Sequence, residues 1–167
     1  MKTLKHIVIL SILLIGSSSF SQDFGTPTEN DIPDKLKGLK VEIEVMNFPK
    51  INDPIKEDDT YYWKHATSIL SKKSDIKIIE FGAFLFYNNT WNLRKSYDLK
   101  DLDKNFGTKK QVLKQGDPYV WKDNWRVGKQ LFGGWAMWYF IGINSDNEKV
   151  CGYATIHTTE NVLKASP

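Results

Sequence analysis

The sequence predicts a mainly β protein: an antiparallel β-sandwich, of immunoglobulin-like or small-barrel type, with one short helix. Three observations predict it. Short segments rich in β-branched and aromatic residues recur along the chain, divided by clusters of Asn, Asp, Ser, Gly and Pro. A helical apolar spacing with both caps in place occurs once, after Asp98. The 22 aromatic residues are also concentrated, with 18 of them between Tyr61 and Phe140, so the core is expected there.

The elements follow from local pattern. Leu39 to Val45 alternates apolar and charged residues with period two, as a strand with one wet face does, and Pro49 stops it. Lys50 to Thr60, with Pro54 and the acidic run Glu57-Asp58-Asp59, is expected to be a loop. Tyr61 to Leu70 fits both a helical stripe and a strand face; its aromatic and β-branched content favours one strand, ended by the polar turn Ser71 to Asp75. Ile76 to Tyr87 is nearly all apolar beyond Ile78, as a strand covered on both faces would be, and Gly82 within it suggests a bulge or bend.

Asn88-Asn89 is a turn signal, and Trp91 to Tyr97 then reads as a short strand. Asp98 is placed as a helix N-cap, Leu99, Leu102 and Phe106 share one face, and Gly107 stands where a left-handed C-cap belongs. Gln111 to Leu113 is a candidate strand, and Gly116-Asp117-Pro118 is a turn. Trp135 to Ile143 and Lys149 to Thr158, joined by Asn144 to Asn147, read as a β-hairpin.

The 167 residues divide as a signal peptide over 1–21, a flexible leader over 22–38, one β-rich domain over 39–160 and a C-terminal tail over 161–167. Lys2 and Lys5 form a short basic region, Ile7 to Ile15 an apolar stretch, and Ser19-Phe20-Ser21 a small-x-small cleavage site ahead of Gln22. A stretch of nine residues is too short to span a bilayer, which needs about 20 apolar residues. Export to the periplasm or the exterior is therefore expected, with no membrane span in the mature chain.

Loss of Lys2 and Lys5 leaves 21 Lys+Arg against 20 Asp+Glu. So near-neutral a domain, whose longest basic runs are doublets such as Lys72-Lys73 and Lys109-Lys110, argues against nucleic acid as a partner. Cys151 is the only cysteine, so no intramolecular disulfide can form and stability rests on packing.

No nucleophile elbow, zinc-protease helix, phosphate loop or dinucleotide glycine pattern is present. His65, Cys151 and His157 follow the ligand order of blue-copper sandwiches. However, Cys151 and His157 fall on one strand roughly 20 Å apart, too far to share an ion, so no metal and no cofactor is implied. Paired acids, Asp58 with Asp59 and Asp101 with Asp103, read as loop and helix surface.

The most suggestive stretch holds Trp121, Asp123, Asn124, Trp125 and Arg126, residue types with which sites for sugars or peptides stack rings and orient hydroxyls or amides. Core packing and a turn are the competing account of the same residues. The expectation is a non-catalytic sandwich that binds a carbohydrate or protein ligand through an aromatic surface. Its alternatives are a small secreted hydrolase whose carboxylates converge only in three dimensions, and a metal-binding sandwich.

Overall fold

The computed structural model describes residues 25–163. The expected signal peptide and residues 164–167 of the expected tail lie outside the described residues. Among these residues, thirteen strands and one α-helix follow a single 3-10 turn at Asp34–Leu36. They are β1 (Lys40–Val41), β2 (Ile43–Phe48), β3 (Ile51–Asn52), β4 (Ile55–Glu57), β5 (Thr60–Trp63), β6 (Ala66–Ser71), β7 (Ile76–Tyr87), β8 (Thr90–Ser96), α1 (Leu99–Phe106), β9 (Val112–Leu113), β10 (Pro118–Trp121), β11 (Arg126–Gly128), β12 (Gly134–Ile143) and β13 (Lys149–Thr158). The protein is mainly β with one short helix, as expected, and among the described residues no barrel closes.

The largest sheet runs β1-β13-β12-β7-β8, with β3 added beside β13 and β9 beside β7. Its centre is the long hairpin β12-β13, paired without interruption from Gly134 opposite Thr158 to Ile143 opposite Lys149. A three-stranded sheet, β10-β6-β2, lies against one face of it, and a second small sheet, β11-β5-β4, stands at one end. Between the stacked sheets is the main core, where Ile43 and Ile69 of the small sheet meet Ile78, Phe81, Trp138, Phe140 and Val150 of the large one, with Leu102 and Phe106 of α1 closing the side. Each such side chain, fully buried, contributes on the order of 2 kcal/mol.

β7 is covered on both faces, as its composition predicts. Phe84 belongs with Met137, Tyr139, Ile141 and Cys151 to a second core on the opposite face, which is roofed by Ile32, Leu36 and Leu39. Leu36 is buried, and Trp91 Nε1 donates to the Asp31 carbonyl at 2.6 Å. Residues 31–39 are thus packed onto the sheet, which differs from the leader expected over 22–38: three well-spaced apolar residues suffice to anchor a segment that reads as polar overall.

α1 has the caps its sequence predicts. The Asp98 carboxylate accepts from the Lys100 N–H at 2.8 Å, and Gly107 takes φ 76° at the C-terminal end. Asn88 and Asn89 hold φ of 53° and 55°, the left-handed pair that a tight hairpin turn requires. Gly82 does not mark a bulge. A Cβ there would overlap the Lys95 carbonyl and the Tyr139 ring, so the residue is small because two neighbours approach it. The irregularities fall at Ile79 in β7 and at Arg94 in β8, each without a partner in the register.

Three expectations are corrected. The strand expected over Leu39 to Val45 is two strands in different sheets, since β1 pairs with β13 and β2 with β6. The loop expected from Lys50 to Thr60 carries β3 and β4. The single strand expected over Tyr61 to Leu70 is β5 and β6, which also part into separate sheets. In each case the chain leaves one sheet for another within a residue or two, a change that local alternation does not record. The pairing is moreover not wholly antiparallel: β1 and β3 run parallel to β13, because both belong to one stretch of chain that travels alongside it.

Candidate functional site

The stretch singled out by sequence is divided among three environments. Trp121, at the end of β10, turns inward and meets Tyr97, Phe106 and Trp138 edge-on at centroid distances of 6.0, 5.8 and 5.4 Å. It is core. Asn124 is buried too, and its Nδ2 donates to Thr67 Oγ1 at 2.8 Å; the Thr67 hydroxyl donates to Asn47 Oδ1 at 2.8 Å. Asn47 Nδ2 completes the chain by reaching the carbonyls of Ala154 and Thr155 at 3.0 and 3.3 Å. This network ties the loop, β6, β2 and β13 together with its polar groups satisfied.

Asp123 is exposed. Trp125 is 42% exposed and lies beneath the Lys64 ammonium, which sits 4.7 Å from its ring and 5.5 Å from that of Tyr62. Arg126 points the other way, its guanidinium 3.2 Å from the centre of the Phe132 ring and 5.5 Å from that of Trp63, with Nη1 donating to Thr158 Oγ1 at 3.4 Å. Burial, and Arg94 after it, pull its pKa down. The five residues therefore do not share one surface, and Trp121 and Trp125 form no joint platform.

The structure builds an aromatic surface elsewhere, on the face of the large sheet away from the main core. Trp135 of β12 and His157 of β13 stand opposite one another and stack, with centroids 4.6 Å apart and planes 16° from parallel. Beside them open two adjoining chambers that share Trp135, Tyr153 and Thr155. The larger, of 540 Å³, is bounded by Val45, Met46 and Asn47 of β2, by Lys50 and Ile51, and by Ala154. The smaller, of 250 Å³, extends under Pro27 to Ile32 and against Trp91 and Met137. Together they form a groove across the sheet, largely apolar, and the larger chamber falls within the size of ligand pockets.

Met46 and Ile51 at its mouth are 56% and 64% exposed. Lys50 is exposed and forms no ion pair among the described residues. At the far end the Thr28 main-chain N–H, at 2.7 Å, and hydroxyl, at 2.8 Å, hold the Asp31 carboxyl below its ordinary pKa.

A second polar cluster sits toward the middle of this face. Tyr139 donates to Glu80 Oε1 at 2.6 Å and lies 3.2 Å from Ser96 Oγ, while Lys35 pairs with the same Glu80 oxygen and lies over the Tyr139 ring at 5.3 Å. Burial, with the Glu80 hydrogen bond next, raises the Tyr139 pKa. The cluster fastens residues 34–36 to the sheet and opens into neither chamber of the groove.

His65, Cys151 and His157 are not brought together, and no group of three His, Cys, Asp or Glu residues among those described is placed to hold a metal ion. Cys151 is buried in the second core, where burial raises its pKa. No helix among the described residues is long and apolar enough to cross a membrane.

Sequence reasoning missed Trp135, Tyr153 and Lys50. A signal existed for two of them: once the hairpin turn is placed at Asn144 to Asn147, alternation along the strands puts Trp135 on one face with Tyr153 and His157. Lys50 had none, because its position depends on β3 returning to β13. Comparison of the chain with family models, with curated proteins and with solved structures finds no match.

Proposed function

We propose that this chain is an exported, non-catalytic binding module that takes a carbohydrate or protein ligand in the groove lined by Trp135, Tyr153 and Thr155. The observation that carries the reading is the groove itself: two adjoining chambers that share Trp135, Tyr153 and Thr155, with partly exposed rings on the long hairpin, in a domain whose other large aromatic cluster packs into the main core. Rings held by uninterrupted strand pairing present a fixed apolar surface, and little ordering is required when a ligand arrives. The lining is mostly rings and aliphatic groups, with hydroxyls, the Lys50 ammonium and, in the smaller chamber alone, the carboxylates of Glu29 and Asp31; so apolar a surface suits holding a ligand. Export rests on residues 1–21, whose basic, apolar and small-residue regions follow one another in the order a signal peptide uses.

Calorimetry and tryptophan fluorescence against cellohexaose, chitohexaose, laminarihexaose and a displayed random-peptide library test the binding reading. Binding by the wild-type chain, weakened by about tenfold in Trp135→Ala and in Tyr153→Ser, supports it. Binding that both variants leave unchanged places the ligand elsewhere and overturns it. The export reading is tested by the mass of the native protein recovered outside the cytoplasm, expected to begin at Gln22.

A further inference from the structure

Between β1 and β3 the edge of β13 carries no strand among the described residues. At one end of this gap the Cys151 carbonyl accepts from the Glu42 N–H at 3.0 Å; at the other the His157 N–H donates to the Lys50 carbonyl at 2.9 Å. Odd-numbered residues of β13 thus turn their main-chain groups toward this edge, and Tyr153 and Thr155, midway between, do the same. Asn47 Nδ2 takes up the Thr155 carbonyl. The N–H and carbonyl of Tyr153 and the N–H of Thr155 meet no strand, and these residues line the 540 Å³ chamber. A sheet edge left in this way is a template for an added strand.

The length of the gap decides what fits. From Gly152 to Ile156 the edge measures about 13 Å, room for roughly three or four extended residues, and β1 and β3 block it at both ends. A strand running past is therefore excluded, whereas the end of a chain can enter from the solvent side. Lys50 borders the chamber at its β3 end and is free of ion pairs among the described residues, so a carboxylate is favoured there over an ammonium.

Resting on the reading of the groove as the ligand site, we infer that it captures the free C-terminal segment of a partner protein. The segment lies parallel to β13, pairs with the main chain of Tyr153 and Thr155, and places its terminal carboxylate at Lys50. Its alternate side chains contact the Trp135 ring on one side and Met46 on the other. Most oligosaccharides carry no amide, and the acetamides of chitin-type glycans hang from the rings and form no main chain that could pair with such an edge, which is why a peptide is favoured over a glycan.

The test uses the full chain, labelled with nitrogen-15, and random heptapeptides displayed with free C termini. Selected peptides are expected to shift the Tyr153 and Thr155 amide resonances. Affinity should fall by about tenfold when the peptide is amidated at its C terminus, and by a similar factor against Lys50→Gln, while Lys50→Arg retains it. Lys50 is exposed, so neither substitution threatens folding. Amidated peptides that bind as well as free ones, or selected peptides that leave the Tyr153 amide unmoved, overturn the inference. If no peptide is selected but cellohexaose or chitohexaose binds in a manner sensitive to Trp135→Ala, the groove stands as a ligand site and the peptide inference fails. If neither peptide nor glycan binds, both fall.

Discussion

Gly152 of β13 lies so close to Ile43 of β2 that a Cβ at position 152 would overlap the Ile43 carbonyl oxygen and side chain. Here the chain leaves the edge of the large sheet after β1 and crosses over β13 as β2, the edge strand of the small sheet, and only a residue without a side chain lets the two backbones approach in this way. Gly152→Ala is expected to lower stability by about 2 kcal/mol or more, because the backbone of one strand must shift. Thermal unfolding measures it; an unchanged melting temperature would contradict the crossing.

The network of Asn124, Thr67 and Asn47 links four segments through one hydroxyl. Thr67→Val keeps the shape while leaving Asn124 Nδ2 and Asn47 Oδ1 without their partner, both in buried residues. A loss of about 2 kcal/mol is expected. Asn124→Ala added to Thr67→Val should cost less than the sum of the two changes, since they remove the same bond. Strict additivity in denaturant titrations would show that the hydrogen bond carries no weight.

Burial pushes the pKa of His65 down to about 4 from 6.5; the Trp63 carbonyl, 3.3 Å from Nδ1, opposes this only in part, and Nε2 has no partner among the described residues. The folded-state value lies below the unfolded one, so the unfolded chain binds the proton first as the pH falls. Stability on this account is complete above pH 6.5 and drains away between there and 4, by about 2 kcal/mol at pH 5. His65→Gln should show a flatter fall in melting temperature from pH 7 to 5 than wild type. Parallel curves would remove His65 as the cause.

Leu36 is buried beneath the short 3-10 turn and seals the second core together with Ile32 and Leu39. Truncation in Leu36→Ala is expected to destabilise by about 2 kcal/mol and to expose residues 31–39 to limited proteolysis. If cleavage in that segment is as slow in the variant as in the wild type, the segment does not depend on this anchor.

The hairpin β12-β13, the turn at Asn88-Asn89 and the capped helix from Leu99 to Phe106 were legible in the sequence. Each is specified by neighbours within a few residues: period-two alternation, a pair tolerant of positive φ, a capping aspartate and a C-terminal glycine. The mainly β class and the covered core at β7 follow from the same local chemistry. What escaped is what long-range pairing decides. Nothing in Leu39 to Phe48 says that the chain changes sheets at Glu42, and nothing in Trp121 to Arg126 says that the first tryptophan turns into the core while the second stays in water.

By itself, then, the sequence determined which segments are strands or helix and which of their residues share a face, because steric preference and alternation act over a handful of bonds. Only the tertiary structure decided which sheet each strand joins, and so where a gap opens along β13 and which rings line it. That choice is settled by the burial of side chains far apart in the chain, and no local pattern encodes it.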